Sequence, residues 1–312
     1  MVHRGLSVLS LAVTLAWTGS AAAARGGPDR SGYEWVDGAE PGVTYEWHDL
    51  GVAPTCVTLG DDAESAAVPL GFTFAFYGAD RTQAYVGSNG YVAFQSNDVS
   101  SGFGGQCPLP VADRGTFRTV NNAVYGFFQD LNPREPASGT ICYATLGVAP
   151  DRMFVVTWDH IDYFQQGPTE TEPFGSDPVT FQIVLYEGSN EAQVNILESG
   201  TTAGLPRWED NTTIGIENAD GTAGLSLCNW TNTRRIPDAY AVRFRRSDGF
   251  GIVPSERTGA GAPGGTVGFD FELLNFASTA VTVTVTGRSA SSWTVTPSPG
   301  SVSAAADGGA AP

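Results

Sequence analysis

The 312 residues carry 33 acids against 16 basic residues, all of them arginine, for a net charge of −17 at neutral pH. Phosphate and anionic headgroups need a basic footprint, so this balance argues against nucleic acid and anionic membranes as partners. Hydrophobic residues make up 41% of the chain, which excludes wholesale disorder and permits a packed core.

Residues 1–24 have the form of a signal peptide. Arg4 supplies the charged start, residues 6–17 the apolar stretch, and Ala22-Ala23-Ala24 a small-x-small cleavage site. The apolar stretch is too short to span a bilayer, and no later run reaches about 20 apolar residues. The expectation is cleavage near Ala24, secretion, and no membrane insertion afterwards. Four cysteines follow, Cys56, Cys107, Cys142 and Cys228. An even count in an exported chain predicts two disulfides with three possible connectivities. Pairing of sequence neighbours, Cys56–Cys107 with Cys142–Cys228, is the preferred one. No C-x-x-C occurs, so neither a zinc knuckle nor a thioredoxin-type centre is indicated.

Residues 26–49 are polar and aromatic, and Trp35, Tyr45 and Trp47 are expected to cover an end of the fold. Residues 60–67 read as a polar turn. In PLGFTFAFYG (69–78), Phe72, Phe74 and Phe76 alternate with smaller residues, which points three rings into one core face. YVGSNGYVAF (85–94) holds Asn89-Gly90, a tight-turn signal inside an extended region. Residues 96–120 form a long loop containing Cys107, and residues 121–131 return to strand.

RMFVVTWDHIDYF (152–164) is apolar at nearly every position and rich in β-branched and aromatic residues, the pattern of a strand buried on both faces. Phe154, Val156 and Trp158 are assigned to one face, and Met153, Val155 and Ile161 to the other. With residues 140–146, 179–187 and 192–197 it is expected to form an antiparallel meander. Residues 165–178 read as an acidic surface loop. Residues 212–218, 224–227 and 240–244 supply further strands. Turn signals recur along the chain and no amphipathic helix period survives, so the fold class is all-β, an antiparallel sandwich.

Composition shifts near Ser247, and GAGAPGG (259–265) reads as a flexible joint. Beyond it, Val281, Val283 and Val285 alternate with threonines and Trp293 follows. This resembles the front half of a small immunoglobulin-like sandwich, with Trp293 expected as its core plug. Such a domain needs about 100 residues, so the chain is expected to be a fragment of a longer protein.

Six pieces in order carry a resemblance: VPLGFTFAFYG (68–78), YVGSNGYVAF (85–94), NNAVYGFFQDLNP (121–133), FVVTWDHI (154–161), TFQIVLYEG (180–188) and TIGIENADGT (213–222). Together they resemble the nidogen-like extracellular domain, in the form found in bacterial secreted proteins and plexin-domain-containing receptors. The organisation expected is a signal peptide (1–24), a nidogen-like β-sandwich (31–247), a linker (248–265) and an incomplete Ig-like domain (266–312). The resemblance implies a secreted, non-catalytic binding or adhesion module that recognises an extracellular polymer or protein surface. The alternative is the accessory region of a larger secreted hydrolase, most plausibly a protease, whose catalytic domain lies outside this chain. The family supplies no catalytic residues to carry over.

Chemistry read from the residues themselves is sparse. A Ser-His-Asp triad would have to use His48 or His160. Asp159 and His160 are adjacent, so in a regular strand they face opposite sides. Asp159 and Asp162, three apart, also face opposite sides, unlike the paired carboxylates of a glycosidase. Asp130 with Asn132, and Asn218 with Asp220 and Thr222, offer hard oxygens that suit calcium. Neither loop completes an EF-hand pattern, and Asp and Asn also cap turns through their own side chains. Calcium is therefore the one cofactor considered, and none is required. Asn211-Thr212-Thr213 and Asn229-Trp230-Thr231 match the glycosylation pattern but are expected to stay unmodified in a bacterial chain.

Overall fold

The computed structural model describes residues 25–97, 107–111, 120–164, 178–200, 212–228, 236–253, 259–260, 262, 264–289, 294–306 and 309–311. The expected signal peptide, most of the acidic loop, Trp293, Asn211 and Asn229 lie outside the described residues. Strands are numbered in chain order, and no helix occurs among the described residues.

Two antiparallel sheets face each other. The larger has eight strands in the order β1 (Arg25–Gly26), β2 (Tyr33–Asp37), β14 (Tyr240–Arg246), β11 (Ala192–Glu198), β10 (Val179–Tyr186), β9 (Met153–Ile161), β8 (Thr140–Leu146) and β3 (Thr55–Val57). The smaller has six, in the order β13 (Gly224–Leu227), β12 (Thr213–Glu217), β7 (Ala123–Phe128), β6 (Tyr91–Ala93), β5 (Ala79–Gly87) and β4 (Val68–Phe76). The expected meander is present: β8, β9, β10 and β11 are sequential neighbours, with hairpin registers such as Ile141↔Trp158 and Val184↔Gln193.

Alternation decides what each strand buries. On β4, Leu70, Phe72, Phe74 and Phe76 are buried while their neighbours are exposed or half-buried. They meet Phe154, Val156, Trp158, Phe181, Ile183 and Val194 from the opposite sheet in one core. Trp158 stacks on Phe181 with centroids 4.8 Å apart and planes 9° from parallel. Gly126 lies where the sheets press closest. A Cβ there would come within 2.8 Å of Ile183 and 3.0 Å of Phe181.

The outer face of the larger sheet is polar yet buried, with Thr157, Gln182, Gln193 and Asn195 all covered. Residues 43–49 run across it. Gln182 accepts from the His48 amide and donates to the His48 carbonyl, and Gln193 donates to the Thr44 carbonyl. These side-chain amides satisfy backbone groups that a buried loop would otherwise leave unpaired. The aromatic N-terminal segment therefore lies over a sheet face at Tyr45 and His48 instead of covering an end of the sandwich.

Three further expectations are corrected in the sandwich. The disulfides join Cys56 to Cys142 and Cys107 to Cys228. Cys56 sits directly opposite Cys142 in the β3–β8 ladder. Cys107 opens a segment whose Leu109 amide bonds to Ser226 Oγ, placing it beside the end of β13. Sheet neighbours, not sequence neighbours, set the pairing. Second, Ile161 joins the same core as Phe154, Val156 and Trp158. The β9–β10 register slips between Val179↔Ile161 and Phe181↔Trp158, with His160 at φ +54°. That bulge adds one residue and reverses the facing of everything after it. Third, the same bulge brings Asp159 and His160 together. His160 Nδ1 lies 2.5 Å from Asp159 Oδ1, and Nε2 lies 4.0 Å from Glu198.

The C-terminal strands form two small sheets: β15 (Phe250–Val253), β16 (Glu272–Asn275) and β19 (Gly309–Ala311) in one, and β17 (Val281–Thr284) with β18 (Ser301–Ala304) in the other. β15 falls inside residues 248–265, the expected linker, and pairs with β16 at Gly251↔Leu274. It also leans on the sandwich, with Gly251 packed against Pro28 and Phe276 against Gly32.

Candidate functional site

Two loop clusters at opposite ends of β7 bring polar groups together. The strand and its flanking residues span about 25 Å at ~3.3 Å per residue.

The first cluster forms where the turn at residues 60–67 docks on the β5–β6 hairpin. The Ala63 amide bonds to Ser88 Oγ, the Ser88 amide to the Ala63 carbonyl, and Glu64 bridges Gly87. Asp62 takes a left-handed backbone, φ +45°, a conformation that Asp tolerates. Asn89, only 2% exposed, donates to Asp62 Oδ1 at 2.8 Å and accepts from the Leu131 amide. That one side chain holds the turn against the end of β7. As a result Asp61, Asp62 and Asp130 each place a carboxylate oxygen within 4.8 Å of the others.

The cluster is electrostatically uncomfortable. Burial, then the charges of Asp62 and Asp61, push the Asp130 carboxyl up to about 7. Asp61 is raised by burial and by Asp62, and Asp62 by burial. Asp61 Oδ1 is enclosed and has no hydrogen-bond partner. Three such groups either share protons at neutral pH or gather hard oxygens about a divalent cation, the ligand type that calcium takes.

The sequence-level candidates divide between the two loops. Asp130 belongs to the carboxylate cluster. Asn132 does not: its Oδ1 accepts from the Arg134 amide and its Nδ2 donates to Glu135, so it caps its own turn. Asn218 and Asp220 are at the other end of β7 and also cap a turn. Asn218 Oδ1 accepts from the amides of Thr222 and Ala223, and Asp220 Oδ1 from the amide and hydroxyl of Thr222. These bonds hold the Asp220 carboxyl below its usual range. Asp61, Asp62 and Asn89 were missed. The pair reads as a polar turn and Asn89 as half of an Asn-Gly turn, and nothing in their spacing announces a contact with residue 130.

The second cluster is a pocket of about 200 Å³ lined by Ser31, Tyr77, Arg81, Asn122, Asn218, Ala219 and Asp220. Tyr77 and Asn122 both hold left-handed backbones, φ +47° and +56°. Tyr77 is pinned from both ends: its amide donates to the Tyr33 hydroxyl, and its own hydroxyl to Asp29.

A third polar group is buried in the smaller sheet. Glu217, fully covered, accepts from the Val111 amide and from the Tyr125 hydroxyl, and burial pushes its carboxyl up to about 7. It ties the segment after Cys107 to the sheet.

Comparison with known proteins places this sandwich. The family described as NIDO related matches residues 40–244, a span that runs from the segment over the larger sheet into β14. Mouse (Mus musculus) Nidogen-2 is 29% identical over 153 residues, which is 42% of this chain and 10% of that protein. The chain therefore spans about a tenth of the length of this relative. No solved structure gave a significant match.

Proposed function

Because the chain belongs to the nidogen-related family, we propose that it is a secreted, non-catalytic binding or adhesion module that engages an extracellular polymer or protein surface. The observation that carries this reading is the family match across both sheets, residues 40–244. Two disulfides support export, since such bonds persist in oxidising compartments. The geometry suits presentation: a rigid sandwich carries polar loop clusters at its ends, where binding groups are free to vary without disturbing the core.

The test is co-sedimentation of the purified chain, residues 25–312, with insoluble collagen, chitin, cellulose and peptidoglycan, in calcium and in EDTA. Saturable binding to one of them is expected. Loss of that binding in EDTA would show that it needs a divalent cation, for which the Asp61, Asp62 and Asp130 cluster is the candidate site. Failure to bind any polymer or matrix protein would overturn the module reading.

A further inference from the structure

Residues 43–49 cross the buried polar face of the larger sheet as a strap that joins no ladder. The side-chain amides of Gln182 and Gln193 clamp it at His48 and Thr44. The fit beneath it is incomplete. His48 Nε2, Tyr45 Oη and the Nδ2 of Asn195, which lies beside Gln182 in the ladder, are enclosed and have no hydrogen-bond partner among the described residues. Groups left in that state weaken the hold of the strap. It then runs through Gly51, Val52 and Ala53, all exposed, into β3. β3 has three residues, is the last strand of its sheet and pairs with β8. So short a ladder holds weakly, and the Cys56–Cys142 bridge fastens this end of the strap.

The two bridges differ in access. Exchange requires a thiolate to reach one sulfur from the side away from the other. Cys56 is exposed, and the side away from Cys142 is the open margin of the sheet. Cys142 is 8% exposed and has the covered Thr157 opposite it in the next strand. Cys107 and Cys228 are half-buried. The Cys107 sulfur lies 3.8 Å from the carbonyls of Thr212 and Leu227 and 3.4 Å from the Thr213 hydroxyl, and the Cys228 sulfur 3.1 Å from the Ser226 hydroxyl.

We propose that Cys56–Cys142 is an exchange site for small thiols, and that its opening releases β3 and loosens the strap. The incoming thiolate forms a bond to the Cys56 sulfur, and the Cys56–Cys142 bond breaks. The electron pair leaves on the Cys142 sulfur, which takes up the proton that the incoming thiol gave up. The products are a mixed disulfide on Cys56 and a free thiol at Cys142, so no further oxidant or reductant is needed. The site does not depend on polymer binding, and a failed co-sedimentation leaves it standing.

The test titrates the folded chain, residues 25–312, with 2-mercaptoethanol, a neutral thiol that the net charge of −17 does not repel. Free thiols are then capped with N-ethylmaleimide and the peptides mapped by mass. At low thiol, mercaptoethanol is expected on Cys56 and maleimide on Cys142, with Cys107–Cys228 opening at least about tenfold more slowly. Hydrogen exchange of the opened form should quicken at residues 55–57 and at the His48 amide, and stay slow at Val184 and Val194 in the middle of the sheet. A double variant, Cys56→Ser with Cys142→Ser, should show the same faster exchange without any thiol. No opening in the folded chain, earlier opening of Cys107–Cys228, an adduct on Cys142, or unchanged exchange at residues 55–57 or at His48 would overturn the proposal.

Discussion

Trp158 Nε1 donates to the carbonyl of Gly87 at 3.1 Å, a hydrogen bond that crosses the sandwich from β9 to β5. The indole otherwise belongs to the apolar core and stacks on the ring of Phe181. The bond fixes the rotation of the largest buried side chain and, through Gly87, the position of the hairpin that carries Asn89. Trp158→Phe removes the donor and leaves a space beside Phe181. The expected loss is about 2–3 kcal/mol, read from the midpoint of urea denaturation at constant slope.

The disulfide pairing is open to direct chemistry. Proteolysis without reduction should release one linked peptide pair containing Cys56 and Cys142 and another containing Cys107 and Cys228. A Cys56–Cys107 peptide would contradict the ladder register. Replacing Cys107 and Cys228 together by serine opens a loop with a sequence separation of 121, at a cost of about 2–5 kcal/mol.

Glu217 makes stability depend on pH. Burial raises its folded-state value to about 7 from 4.5. A carboxyl raised on folding contributes stability that is complete below its unfolded value and is lost as pH rises through the folded one. Thermal stability should therefore decline from about pH 4.5 to above pH 7. Glu217→Gln should flatten the decline and melt higher than the parent at pH 8. Its amide oxygen still accepts from Val111, and its NH₂ can donate to the Tyr125 oxygen while that hydroxyl donates to the Val120 carbonyl.

The carboxylate cluster acts in the same direction, and a bound cation would reverse it. Asp130 is raised to about 7 from 3.8, so in calcium-free buffer Asp130→Asn should melt higher than the parent at neutral pH. Added calcium should raise the melting temperature of the parent and leave the variant unmoved. A calcium-independent parent would show that the three acids share protons and hold no metal.

Much of the fold was legible because its strands are locally self-consistent. Phe72, Phe74 and Phe76 alternate with small residues, the Asn89-Gly90 turn has its φ of +85° at the glycine, and the 152–164 run is apolar beyond any single-faced pattern. The C-terminal linker was less legible. Phe250 to Val253 carry a weak alternation, and only the presence of β16 makes them a strand.

What the sequence determined by itself is the all-β class, the hairpin-by-hairpin meander from β8 to β11, the face that each regular strand buries, and the family. These follow from side-chain period and turn chemistry, which act over a few residues. Only the tertiary structure decided the rest. The bulge at His160 reverses Ile161 and pairs His160 with Asp159, because one inserted residue is invisible to a two-residue period. The cysteines pair across sheet neighbours because strand order, not chain order, sets which sulfurs meet. Asp61 and Asp62 reach Asp130, and Arg81 reaches the same pocket as Asn122, because segments far apart in the chain converge at the ends of one strand. Such convergence leaves no periodic trace in any of the segments that take part.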